Sequence, residues 1–294
     1  MTRLAISLFG MPRLVRGGGG EVTVPGGCWP IIAFLLARPG HCASRSSLAG
    51  ALWPEQPEEA ARHCLATLLW RFKAALKKGP SPLAAAGDQV SLRLDRGVWI
   101  DCHAFERRVR PIVEQPRARI GEAERRRLRR AVSIYRADFL ANEQEEWIAV
   151  ERERLRCIYL DALYALAGAE AETGDWPAAV RAARRLCTAE PLREDAQRLL
   201  MIALVASGNR ALALKQYGRL VKLLEVELAV EPMPETEALA RQIARSGARP
   251  TGPRPVSPAV REALAASRDA VGKALRILDR AVESSGGDAS VIGA

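Results

Sequence analysis

The sequence predicts an α+β winged helix–turn–helix domain followed by an all-α tetratricopeptide-like helical domain. Three observations carry this. Short alternating segments bracket three helical stretches within residues 1–101. From Cys102 to about residue 245 the periodicity is almost continuously helical. Within that second part, two glycine-containing turns are offset by 34 residues, the period at which paired helices stack in tetratricopeptide arrays. A chain of 294 residues is long enough for two cores, and a hydrophobic content of 48% excludes a disordered polymer. The expected division is 1–101, 102–245, and a Pro-rich linker with one candidate helix over 246–294.

Leu4–Phe9 alternates as a strand, followed by a turn at Gly17–Gly20 and a second strand at Glu21–Val24. No Lys-Ser or Lys-Thr pair follows these glycines, so they read as a hairpin turn and not a phosphate cradle. Pro30 suits the first turn of a helix continuing through Ala37 and stopped by Pro39-Gly40. Ser44 is placed to cap a second helix, Arg45–Leu52, which Pro54 ends. A third runs from near Glu58 to about Lys78, with Ala61, Leu65, Leu68, Leu69, Phe72 and Leu76 on its apolar side. Alternation then returns in Val90–Leu92–Leu94 behind a turn at Ala86–Gln89, with a last short strand around Trp99-Ile100.

In the second part, Glu145–Ala167 is a long amphipathic run, and the repeated turns open Gly174–Val180 and Gly208–Leu214. Residues 246–258 hold four prolines and read as a linker. Beyond it, Val260, Leu264, Val271, Leu275, Leu278 and Val282 fall along one side of a candidate helix.

Lys and Arg outnumber Asp and Glu by 44 to 34, and residues 61–78 carry five basic side chains and no acidic one. Such a balance favours an anionic partner without identifying it. No apolar run reaches the length of a membrane span, and the first residues lack the pattern of a signal peptide, so a cytoplasmic location and no membrane partner are expected. The six cysteines are scattered among apolar residues and read as small core side chains. His41-Cys42, His63-Cys64 and Cys102-His103 adjoin, yet no C-x-x-C spacing accompanies them. No catalytic, metal or cofactor residues are therefore assigned, and no cofactor is expected.

The side of the third helix opposite its apolar stripe shows Arg62, His63, Thr67, Trp70, Arg71 and Lys73. An α-helix fits the major groove, where Arg71 is suited to guanine O6 and N7 and Thr67 to a thymine methyl. Arg62 and Lys73 suit phosphates. Lys77 and Lys78 suit phosphates or simply the negative end of their own helix. Ser44 and Arg45 open the second helix, where N–H groups either receive a phosphate or are capped, and Gln89 at the hairpin is placed to reach an adjacent groove. For Trp70, packing over the hairpin is favoured above contact with DNA; Trp53 and Trp99 are expected to be core or inter-element anchors.

Several of these residues also resemble a known family. Ala49–Pro54, Ala61-Arg62, Leu69–Lys73 and Leu76 are similar to the DNA-binding domain of SARP-type bacterial transcriptional regulators, in which a response-regulator-type winged helix–turn–helix precedes a bacterial transcriptional activator domain. Val98–Asp101 with Phe105-Glu106 resembles the junction. Glu151–Leu155, Gly174-Asp175, Glu190–Glu194, Leu200-Met201, Gly208, Ala213-Leu214, Tyr217 and Leu228–Pro232 resemble the activator domain. The resemblance covers about residues 1–245. It implies double-stranded promoter DNA as partner, RNA polymerase contact by the helical domain, and self-association on repeated sites. Cys28-Trp29 departs from the Lys or Arg usual at the first helix's start. The runner-up is a tetratricopeptide-like protein-interaction module with weakened or lost DNA binding.

Overall fold

The computed structural model describes residues 4–77, 81–95, 97–114 and 119–245. Its N-terminal part is α+β, and an all-helical part follows. The strands are β1 (Leu4–Ser7), β2 (Arg13–Arg16), β3 (Gly20–Val22), β4 (Cys42–Ser44), β5 (Leu83–Ala86), β6 (Gln89–Leu92) and β7 (Val98–Ile100). The helices are α1 (Cys28–Leu36), α2 (Arg45–Leu52), α3 (Glu58–Ala75), α4 (Asp101–Val113), α5 (Glu122–Ile134), α6 (Glu146–Thr173), α7 (Trp176–Ala189), α8 (Glu194–Ala206), α9 (Arg210–Leu228) and α10 (Pro234–Arg245). Among the described residues no helix is long and apolar enough to cross a membrane. The candidate helix beyond residue 258 lies outside the described residues.

The chain divides into two compact units. One joins residues 4–107 to Ile134–Arg156; the other joins Arg108–Ser133 to residues 157–245. In the first unit a four-stranded sheet has the order β3-β2-β1-β7, antiparallel except where β7 closes it in parallel on β1. A second sheet, β4-β6-β5, adds a short strand ahead of α2 that the sequence pattern did not reveal. Helix α1 is buried from Cys28 to Leu35, and the Pro39-Gly40 stop becomes a single 3-10 turn, Pro39–His41.

The buried Asp101 carboxylate joins the end of β1 to the start of α4. Its Oδ1 accepts from the Leu8 N–H at 2.8 Å and the Cys102 N–H at 2.7 Å, and its Oδ2 accepts from the Phe9 N–H at 3.0 Å. Burial raises its pKa while these amides pull it back down. Beside this junction Phe9, Phe105 and Tyr135 form an aromatic cluster with centroids 4.5–5.7 Å apart. Arg152 donates to the Phe139, Leu140 and Glu143 carbonyls at 2.6–2.8 Å, fixing the loop that carries Phe139. Arg154 lies between Glu106 and Glu151, each within 2.7 Å, so a buried cation is paired on both sides.

In the second unit the repeat is visible in backbone geometry. Gly174 and Gly208 both take positive φ, 80° and 79°, where L side chains are strained. In each turn the next residue's N–H reaches back five residues, Asp175 to Glu170 at 3.0 Å and Asn209 to Leu204 at 2.8 Å. That is a Schellman closure, and it reverses the chain into the next helix. Ala171, Trp176, Ala179 and Ala203 pack in the resulting core. Arg129 makes a bidentate pair with the buried Glu170 at 2.6 and 2.7 Å. Cys28, Cys102 and Cys187 are buried as expected, but Cys42 is exposed and Cys64 and Cys157 are half-buried, because their elements turn them only partly inward.

Two measurements test these packing arguments. Asp101→Ala leaves buried amides without an acceptor and should cost about 3 kcal/mol in denaturant unfolding. Burial raises the Asp161 carboxyl from 3.8 to about 7, against Arg193 and with Asp195. The folded chain therefore keeps a proton that the unfolded chain releases. The stability from this proton is present in full below about pH 4 and is lost as pH rises through about 7. Asp161→Asn should flatten the melting temperature between pH 5 and 8 and raise it at pH 8; an unchanged profile would contradict the assignment.

Candidate nucleic-acid interface

Helix α2 begins where Ser44 Oγ accepts the Ser47 N–H at 3.1 Å, and its bounds are those expected from the sequence. After the turn at Trp53–Pro57, α3 starts with Glu58 and Glu59, whose charges complement the positive helix end. Ala61, Leu65, Phe72 and Leu76 are buried, while Leu68 and Leu69 are half-buried. Arg16 donates to the Leu76 carbonyl at 2.7 Å and anchors the helix C-terminus to β2.

The opposite side of α3 meets solvent. Arg62, His63, Ala66, Trp70, Arg71, Lys73 and Ala74 are exposed, and Thr67 is half-buried. Lys77 lies just beyond the helix, exposed and with φ of 52°; Lys78 lies outside the described residues. Along this face His63, Thr67, Trp70, Arg71 and Lys73 follow one another at helical spacing.

A second group gathers at the β5–β6 turn. Gly87 there has φ of 58°, and a Cβ added to it would meet no atom within 4 Å, so backbone conformation and not crowding demands glycine. The Arg45 backbone N–H donates to the Asp88 carbonyl at 2.8 Å and its Nε to the Gly87 carbonyl at 3.0 Å. Ser44 stands opposite Gln89 in the β4–β6 register. Arg62 reaches Asp88 and Glu58, both at 3.3 Å. The hairpin turn thus unites Ser44, Arg45, Arg62 and Gln89. Asp88, which receives both Arg45 and Arg62, was not among the residues expected to matter; only its place in a turn marked it in the sequence.

Arg45 therefore spends its Nε on the hairpin. The Arg62 pairs are exposed, and pairs of that kind contribute about 0–1 kcal/mol, so a phosphate can displace them.

Two expectations for tryptophan are corrected. Trp70 does not pack over the hairpin; it is 69% exposed, because it sits directly opposite the buried stripe of α3. Of the two roles expected for Trp99 the core one is excluded: it is 42% exposed, since strand alternation turns Ile100 inward and its neighbour out. At the start of α1, Cys28 and Trp29 are both buried, and burial pushes the Cys28 thiol up to about 12. These two positions therefore serve the core.

Comparison with known proteins places this architecture in a class. Residues 100–244 match the bacterial transcriptional activator domain. The regulatory protein AfsR of Streptomyces coelicolor is 30% identical over 217 residues, covering 72% of this chain and 21% of the relative. AfsR of Streptomyces griseus is 29% identical over 217 residues, covering 74% and 22%. The chain spans about a fifth of the length of these curated relatives. The solved structure of Mycobacterium tuberculosis EmbR in complex with a low affinity phosphopeptide shares the fold, with a TM-score of 0.68 at 22% identity over 95% of this chain and 72% of that one. Residues 100–244 thus carry a bacterial transcriptional activator domain, and the chain as a whole is similar to SARP-type bacterial transcriptional regulators.

The two sides of α3 should separate cleanly in a stability measurement. Trp70→Ala should change unfolding free energy by no more than about 0.5 kcal/mol. Phe72→Ala, two residues away, should cost about 3–5 kcal/mol.

Proposed function

We propose that the chain is a sequence-specific transcription activator that binds double-stranded promoter DNA through α3. In this reading α2 and α3 with the β5–β6 hairpin form a winged helix–turn–helix, and the hairpin is the wing. The observation that carries it is the division of α3 into a buried apolar side and an exposed side bearing Arg62, His63, Thr67, Arg71 and Lys73.

Arg71 pairs with a guanine edge and Thr67 meets a thymine methyl, both deep in the major groove. Arg62, Lys73 and Lys77 hold phosphates and set register. The N-terminus of α2, capped by Ser44 and buttressed by Arg45, offers N–H groups to the backbone, and Gln89 on the wing reaches the neighbouring groove. Trp70, left in solvent, gains cover from the sugar-phosphate wall. The helical part is read as a tetratricopeptide-like activator domain that raises promoter occupancy through contacts with RNA polymerase and with other copies on DNA. The match to the bacterial transcriptional activator domain and the similarity to regulatory proteins support this reading, which assigns the chain no reaction to catalyse.

Selection from fragmented genomic DNA, with shuffled duplexes as competitors at physiological salt, should enrich a repeated motif. Arg71→Ala and Thr67→Ala should each weaken binding to that motif by about tenfold or more, consistent with about 1–3 kcal/mol per base contact, and leave the fold intact. If folded protein shows no preference over shuffled duplex, the chain is a protein-interaction module instead.

A further inference from the structure

Helices α5 and α7 of the helical unit are both basic, and their arginines fall into two populations. Arg125, Arg129 and Arg185 are engaged within the unit. Arg125 bonds Glu122 and Thr173, Arg129 pairs with Glu170, and Arg185 donates to the Val132 carbonyl at 3.0 Å and the Tyr159 hydroxyl at 2.8 Å. The contact with Val132 sets α7 beside α5. Arg125, Arg129 and the buried Leu128 and Val132 mark the side of α5 that meets α6.

Arg126 and Arg130 project from the opposite side of α5, and Arg181 and Arg184 from the side of α7 opposite its buried Ala179, Ala183 and Leu186. All four are exposed and have no ion-pair partner among the described residues. Arg126 and Arg130 are one turn apart, about 6 Å along the axis.

The acidic groups at the N-terminal ends of α5 and α7 are already engaged there. Glu122 holds Arg125, Glu124 accepts the Gly121 N–H at 2.9 Å, and Asp175 caps α7 by accepting the Ala178 N–H at 3.1 Å. Helix α7 itself contains no acidic residue.

We infer that this α5–α7 face binds the phosphate backbone of nucleic acid, giving the activator domain a sequence-independent DNA contact of its own. The inference rests on the reading that the chain binds duplex DNA. Charge alone would also suit an acidic protein, but protein interfaces depend on buried aromatic and aliphatic anchors. Apart from Glu122 and the arginines, the exposed residues of these two helices are small or polar: Ala123, Ser133, Pro177 and Thr188. Phosphate needs no such anchor. Four guanidinium groups with no ion-pair partner among the described residues suit counterion release from a polyanion.

The test uses the full chain and two duplexes, one carrying the selected motif and one shuffled, titrated from low to high salt. Arg126→Gln/Arg130→Gln/Arg181→Gln/Arg184→Gln should weaken binding to both duplexes at least tenfold at physiological salt. The log–log salt slope should fall by about 0.9 per phosphate lost, up to roughly 3.6. The corresponding four Arg→Lys changes should retain most of the slope, which separates charge from folding damage, and melting curves should match. The ratio of motif to shuffled affinity reads the α3 proposal separately. A collapsed slope with no motif preference in the parent chain leaves this inference standing and removes sequence-specific reading. An unchanged slope and affinity in the glutamine variant overturns the inference, and so does loss confined to an acidic protein partner.

Discussion

A single buried carboxylate holds the N-terminal unit together. Asp101 sits where β7 becomes α4, and its two oxygens take the backbone N–H groups of Leu8 and Phe9 at the end of β1. Those amides leave the sheet just where β1 runs out of strand partners, so without an acceptor they would be buried and unpaired. The same carboxylate receives the Cys102 N–H and so opens α4. One residue thus ends a sheet, starts a helix and fixes the angle between them. The later segment Ile134–Arg156 builds on this junction: Tyr135 joins the Phe9–Phe105 cluster, and Arg154, held by Glu151, returns to donate to Glu106.

The exposed side of α3 depends on that order indirectly. The sheet that Asp101 closes also carries Arg16, which reaches the Leu76 carbonyl and holds the C-terminal end of α3. At its other end Arg62 touches the hairpin through Asp88, and the hairpin touches α2 through Arg45. Buried Ala61, Leu65 and Phe72 fix rotation about the helix axis, while these two end contacts fix its direction. The proposed reading of α3 as a recognition helix requires both to be set, because its side chains would have to meet particular base edges along the groove.

What the sequence made legible is what local chemistry determines. Ser44 followed by Arg45–Leu52 and Pro54 contains its own start and stop, and α2 has the expected bounds. The stripe from Ala61 to Leu76 needs only a period of 3.6. The 34-residue offset is a property of adjacent turns, and both glycines took the φ that makes them necessary. What remained hidden depends on residues far apart in the chain. Strand β4 is a short segment whose only reason to be extended is β6, far along the sequence. The Asp88–Arg62 and Arg154–Glu106 pairs join charges that no periodicity links. The tryptophans misled for another reason. A large apolar ring is a prior for burial, but strand alternation and helix rotation settle the side on which it lies, and both placed Trp70 and Trp99 outward.

Net charge illustrates the same distinction. A formal excess of +10 says only that cations outnumber anions. In the structure the arginines sort by whether a carboxylate or carbonyl shares their side of a helix. Arg129 and Arg154 face buried glutamates, where removing either partner would strand a charge, so they belong to the fold. Arg152 and Arg185 donate to backbone carbonyls of loop and helix, and they too belong to the fold. The side chains of Arg71, Lys73, Arg126, Arg130, Arg181 and Arg184 make no ion pair or hydrogen bond among the described residues. A side chain that long loses substantial conformational entropy when held, so leaving it unheld costs the fold nothing and reserves that ordering for a ligand. Part of the surplus that composition counts as one number is thus carried by exposed cations that the described residues leave without an ion pair, on α3 in one unit and on α5 and α7 in the other.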